Sequence, residues 1–295
     1  MHYRMKPLVS APAWALLVGA TTWGVIWYPY RRLAAAGLDG IWSTVVTYGL
    51  ALAIGAIVFR AHLPALRRMP PAAWLMGAAI GWSNLGYVLG ILEGEVMRVL
   101  LLFYLAPLWT VPLARILLAE KLDARGGLVV GLAMAGAGTM LWRPDLGAPW
   151  PASFAEWLGV VSGFLFALGN VLVRKLDSMS DAAKSMVIWA GVTVAGLVHL
   201  PWSKSTANAA FDAMGASWIL IAGISVALVA MGYLLQYGLS RMPANRAIVI
   251  LLFELVVAAL AAHFLAGESL RILDWVGAAF IVAACIASGR VKEKS

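Results

Sequence analysis

Glu254 is a lone acid in the apolar run LLFELVV. An ionised carboxylate near the middle of a membrane-buried helix costs on the order of 3 kcal/mol, and such acids are functional by default. Two chemistries suit it: pairing with a substrate ammonium group, or taking up and releasing a coupling proton. A plainer use is a protonated acid that hydrogen-bonds one helix to the next. Other polar and aromatic residues cluster in apolar segments. Trp23 and Trp27 stand four apart, on one helical face. Trp82, Ser83, Asn84 and Tyr87 form a second group, Phe164, Phe166 and Asn170 a third, and Tyr233, Gln236 and Tyr237 a fourth. Tyr104 precedes Pro107. Amides and hydroxyls of this kind can hold the charged ends of a zwitterion while aromatic walls hold its side chain. Taken singly, each aromatic is more simply explained by lipid contact or packing. Taken as a set, they make a cavity.

Pro107 and Pro112 each remove a backbone donor and crowd a carbonyl one turn earlier. The freed carbonyls fall near Phe103 and Leu108, and the segment reads either as a hinge or as a static kink. His199 and His263 lie near segment ends and read as interfacial or packing residues.

Several chemistries are excluded. There is no His-Glu-x-x-His metal motif, no Ser and His pair at membrane depth and no phosphate-binding loop for ATP. Cys285 is the only cysteine, so no intramolecular disulfide or cysteine metal site can form. No cofactor or metal is expected, and neither is an enzyme.

The elements that must position these residues follow from composition. Of 295 residues, 62% are hydrophobic and only 12% charged. A soluble domain carries about a quarter charged residues. A membrane-crossing helix needs roughly 20 apolar residues, and in lipid only helices or closed barrels satisfy their own backbone. Ten such segments are expected, near 12–34, 40–60, 72–92, 97–119, 126–143, 154–174, 183–201, 216–238, 246–266 and 273–290. The N-terminal segment lacks a small-residue cleavage site and reads as a retained helix.

Lysine and arginine set the direction. With the N-terminus inside, 16 of them fall inside and six outside (Arg31, Arg32, Arg98, Arg143, Lys204 and Arg271). Acids such as Asp39, Glu93, Glu95, Asp145, Glu156 and Glu268 lean the other way. Both termini are expected in the cytoplasm. The net charge of +8 is used by topology, so nucleic acid is not an expected partner. Most tryptophans near segment ends form an interfacial belt.

The chain also repeats itself. Residues 98–122 and 246–270 align without a gap at offset 148, matching Arg98 with Arg246, Glu120 with Glu268 and Leu122 with Leu270. Residues 14–33 align with 157–176 at offset 143, matching Trp14 with Trp157 and Arg-Arg-Leu with Arg-Lys-Leu. Two halves of five helices, 1–145 and 146–295, follow. An odd number inserts the second half upside down. The expected fold is all-α: ten transmembrane helices in a 5+5 inverted repeat with a cavity between its halves, as in many secondary carriers.

These motifs resemble the drug/metabolite transporter superfamily in its ten-helix EamA-type branch. The carrying residues are Trp23-Gly24, Tyr104 to Leu108 with Ala119-Glu120-Lys121-Leu122, and the second copy ending Gly267-Glu268-Ser269-Leu270. The chain is most similar to YddG-type aromatic amino-acid exporters. The resemblance implies export of aromatic or neutral amino acids across a bacterial inner membrane. An alternative within the superfamily is another small metabolite or a cationic drug. A phosphorylated substrate would want paired Lys or Arg at mid-depth, and none is found. The second copy reads Phe253-Glu254-Leu255 without proline, so the ninth helix is expected to be straighter than the fourth. Coupling ion and oligomeric state are not legible.

Overall fold

The computed structural model describes residues 10–94, 96–142, 150–267 and 269–288. Arg4, Lys6, Glu95, Arg143, Asp145, Glu268, Arg290, Lys292, Lys294 and the expected boundary between the halves lie outside these residues. Regular structure among the described residues is helical. The first series is α1 (Ala11–Ala35), α2 (Gly40–Val58), a 3-10 turn (Arg60–His62), α3 (Leu63–Leu66), α4 (Pro71–Glu93), α5 (Val96–Phe103), α6 (Ala106–Leu118) and α7 (Ala124–Leu141). The second is α8 (Phe154–Lys175), α9 (Asp181–His199), a 3-10 turn (Leu200–Trp202), α10 (Ala207–Ala216), α11 (Trp218–Ser240), α12 (Ala244–Leu251), α13 (Phe253–Ala266) and α14 (Ile272–Ser288). Element types recur in the same order.

Local chemistry sets the ends. Side chains of Asp39, Asp123, Ser153, Ser180 and Thr206 accept from first-turn amides of α2, α7, α8, α9 and α10, satisfying donors that the helix itself cannot. Ala119 (φ 56°) and Gly267 (φ 71°) close α6 and α13 in the left-handed conformation, 148 residues apart.

Among the described residues, seven helical stretches are long and apolar enough to cross a membrane: α2, residues 98–118 (within α5–α6), α7, α8, α9 with its following turn, α11, and α12–α13. The apolar α14 is shorter, at 17 residues. Helices α1 and α4 are long enough, at 25 and 23 residues, but are diluted by Trp, Tyr, Pro, Gly and, in α4, Ser and Asn. Burial explains how they tolerate this. Gly77, Gly81, Ser83 and Gly86 of α4 are buried against protein.

Helix α4 packs on α8 and α9, and α11 packs on α1 and α2. Likewise α6 packs on α8, and α13 on α1. Two further pairs, α2 with α9 and α7 with α14, bring together helices that hold the same place in each series. Both run antiparallel. Gly55 lies beside Trp189 while Gly196 lies beside Val45, and Gly136 lies beside Ile281 while Gly277 lies beside Met140. Approach is closest at α4 and α9, where a Cβ on Gly191 would strike the Gly77 carbonyl and one on Gly81 the Gly191 carbonyl. Small residues permit such contact.

The proline helix, expected to hold a hinge or a static kink, is interrupted at Tyr104–Leu105, between α5 and α6. A second break occurs without proline at Leu252, between α12 and α13, so the expected contrast between the helices is smaller than proline content suggests. The second is narrower, one residue instead of two. There Leu255 N–H bonds to the Leu252 carbonyl at 3.1 Å, a 3-10 closure.

Polar clamps hold the ends. Asp39 accepts from Ser203 Oγ at 2.5 Å and from Lys204 and Ser205 N–H at 2.8 and 3.1 Å, besides capping α2 through Trp42 N–H. Partial burial works against its ionisation, but these donors outweigh that and hold its carboxyl below the usual range. Arg98 grips Glu156 with two nitrogens at 2.9 and 3.0 Å. Glu120 accepts from Ala244 N–H at 2.9 Å, at the start of α12, with Arg174 3.7 Å away. Burial raises the Glu120 carboxyl above its usual range despite these partners.

Candidate functional site

Glu254 lies in the first turn of α13, two residues past the break at Leu252. It is half-buried, and the Tyr104 and Tyr87 hydroxyls are both close enough to interact with it electrostatically. Tyr104 sits at the other break and is itself buried. The acid and its phenol therefore come from the two places where the long helices are interrupted. A helix break puts polar backbone ends inside the membrane only where protein or a cavity receives them. The start of α13 adds the partial positive charge of a helix N-terminus beside the carboxylate.

An aromatic wall adjoins this pair. Phe103 contacts Tyr87 (ring centroids 4.9 Å apart), Tyr104 (5.2 Å) and Phe166 (5.4 Å). Helices α4, α5 and α8 thus each contribute a ring. Phe103 was not among the candidate ligands. Its only sequence signal is its place directly before Tyr104. The Phe103 carbonyl, expected to be freed by Pro107, packs onto Gly163 of α8, where a Cβ would collide with it. Pro107 is buried, whereas Pro112 and Leu108 are exposed, so any carbonyl freed by Pro112 lies on the outer surface of α6.

The other candidate residues distribute as follows. Asn84 donates to the Tyr48 hydroxyl at 3.4 Å, and Tyr30 and Thr47 share a bond of 2.7 Å, making a polar network between α1, α2 and α4. Tyr30, Thr47 and Tyr48 carried no distinguishing sequence signal. Trp23 is half-buried against the larger apolar core, and Trp27 makes an edge contact with Tyr28. Ser83 donates to the Ser162 carbonyl at 2.9 Å and is buried, a packing bond between α4 and α8. Trp82 is 42% exposed and stacks edge-on with His199, away from the Glu254 group. Phe164 pairs with Trp109 instead of Phe166. Positions 164 and 166 on one helix point in nearly opposite directions.

Asn170 and Gln236 are buried, and Asn170 Nδ2 and Gln236 Oε1 lack partners among the described residues. Each lies one turn from a partner in the bond that Arg174 Nη1 donates to the Ser240 carbonyl, at 2.5 Å. A buried amide left unpaired is costly. Tyr233 and Tyr237 belong to that same end of the bundle. Tyr233 stacks on Phe59 at 5.4 Å, and Arg241 lies 4.0 Å above the Tyr237 ring. The residues singled out by sequence therefore form a central acid–phenol–aromatic group and a second group toward one end. They do not form one ring. No cluster of His, Cys, Asp or Glu suited to a metal exists among the described residues.

Comparison with known proteins fits a membrane carrier. Residues 153–290 match the model of the EamA-like transporter family. An uncharacterized transporter of Archaeoglobus fulgidus is 28% identical over 206 residues, 69% of this chain and 71% of the relative. A solved structure, described only as a crystal structure of a protein, superposes with a TM-score of 0.74 at 14% identity, covering 95% of this chain and 97% of the other. At that identity the likeness shows the fold alone. The second half of the chain is thus similar to the EamA-like transporter family, the relative extends the likeness to a transporter, and the apolar helices are those of a multi-pass membrane protein.

Proposed function

We propose that the chain is a secondary carrier that exports aromatic and other neutral amino acids from the cytoplasm by alternating access. Its ten spans form two five-helix halves of opposite orientation, both termini lie in the cytoplasm, and the membrane is a bacterial inner membrane. The recurrent element order and the antiparallel pairing of α2 with α9 and α7 with α14 support the opposed halves. Interchangeable halves offer two near-equivalent packings, one open to each side.

The observation that carries the substrate reading is Glu254 beside Tyr104 and the Tyr87–Phe103–Phe166 wall. The acid receives the substrate ammonium, and the rings receive an aromatic or apolar side chain. The breaks at Tyr104–Leu105 and Leu252 let the outer parts of two helices move while the site stays near the middle. The same acid and wall would also accept an aromatic organic cation, so the carboxylate decides between the readings.

Competition in proteoliposomes separates them. L-Phenylalanine should compete with a labelled neutral amino acid, and phenethylamine, which lacks the carboxylate, should compete weakly. Equal or stronger competition by phenethylamine would replace the amino-acid reading with an organic-cation one.

A further inference from the structure

A cleft of about 570 Å³ opens at the end of the bundle formed by the 3-10 turn after α2, the loop before α9 and the last turns of α11. It is distinct from the Glu254 group. Lys184 contributes to its wall although its side chain is fully buried, at 0% exposure. Its ammonium donates one hydrogen bond, to Ser240 Oγ at 2.8 Å, and its remaining donors have no partner among the described residues. An ammonium so buried is costly unless hydrogen-bonded or paired with an anion. The obvious anion is already taken, since Asp181 is bound to Arg241 at 2.6 Å.

Other groups complete the lining. Asp177 is exposed, close enough to Lys184 to interact electrostatically, and without a hydrogen bond among the described residues. His62 Nδ1 is buried and has no partner among the described residues. Phe59 and Tyr233 stack almost in parallel, 17° apart, along one side. Lys184 and Arg241 balance Asp177 and Asp181, so with His62 neutral the cleft carries no net charge.

We propose that this cleft is a docking site for a free zwitterionic amino acid ahead of the central site. The carboxylate displaces Ser240 Oγ from the Lys184 ammonium and takes its place, Asp177 takes the ammonium, and the Phe59–Tyr233 stack takes the side chain. A separated cation and anion beside aromatic rings select a zwitterion over an anion or a cation alone, because either would leave one charge unmatched. The proposal rests on the amino-acid reading above and adds a second, peripheral site on the side that charge bias assigns to the cytoplasm.

The test reads the cleft directly. In full-length Cys285→Ala protein, Met179→Cys places a small fluorinated label at the lining, observed by fluorine NMR. L-Phenylalanine should shift the signal saturably, with phenylpropionate and phenethylamine at least about tenfold weaker, the effect of losing a charge-assisted bond. Asp177→Asn, at an exposed position, should weaken L-phenylalanine about tenfold and leave phenylpropionate unchanged. Lys184→Gln should likewise weaken L-phenylalanine about tenfold and leave phenethylamine unchanged. No saturable shift in protein that still carries amino acids across liposomes overturns the docking site and leaves the transport reading standing. A saturable shift in protein that carries none supports the cleft and overturns the transport reading.

Discussion

Replacing Glu254 with glutamine isolates its charge from its shape. Glutamine keeps the volume and a polar acceptor near Tyr104, so packing at the α12–α13 break should survive. A hydrogen bond to a charged group contributes about 1.5–3 kcal/mol, against about 0.5–1.5 for a neutral pair. The difference, about 1.5 kcal/mol, corresponds to roughly tenfold in affinity. Glu254→Gln should therefore raise KM for a neutral amino acid about tenfold or more, while Tm moves by no more than about 2–4 °C. Glu254→Ala removes the acceptor as well and should impair both. Tracer counterflow per folded molecule, together with a melting curve in detergent, separates the cases. If Glu254→Gln melts early yet transports as well per folded molecule as the parent, the acid is a structural tie and the substrate contact proposed for it is wrong.

Three further outcomes are expected. Gly191→Ala drives a methyl group into the Gly77 carbonyl and should destabilise the α4–α9 contact by about 1–3 kcal/mol; an unchanged melting temperature would show that this approach is not tight. Because Asp39 is held below its usual range, its stabilisation is present above the unfolded value of about 3.9 and lost as pH falls through the lower folded one; Asp39→Asn should flatten that acid-side loss and loosen residues 203–205, and an identical acid melting profile would contradict it. Single cysteines at Ser178 and Lys204 in a Cys285→Ala background should label from opposite faces of the membrane, Lys204→Cys from outside, and labelling of both from one face would sink the two-sided topology.

Sequence reading reached furthest where lipid imposes a simple rule. Apolar length located the long helices, and Ala119 and Gly267, 148 residues apart, each close a helix in the left-handed conformation. It reached less far where side-chain direction matters. Phe164 and Phe166 are equally aromatic, yet only Phe166 joins the wall beside Tyr87 and Tyr104, because successive helical residues diverge by about 100°. Trp82 turns toward His199 while Tyr87, five residues on, faces the acid. Proline pointed to one helix break and was silent about the other at Leu252, where a 3-10 bond does the same work. Lys184 looked like a topology charge near a helix start. Its complete burial comes from α11 closing over it through Ser240, a contact 56 residues distant in the chain.

Counterflow of labelled L-phenylalanine in liposomes containing only this protein tests the central claim most directly. Vesicles preloaded with unlabelled neutral amino acid should accumulate the label transiently, and vesicles with Glu254→Gln protein should do so about tenfold less effectively. Failure of correctly folded protein to exchange any neutral or aromatic amino acid would contradict the account.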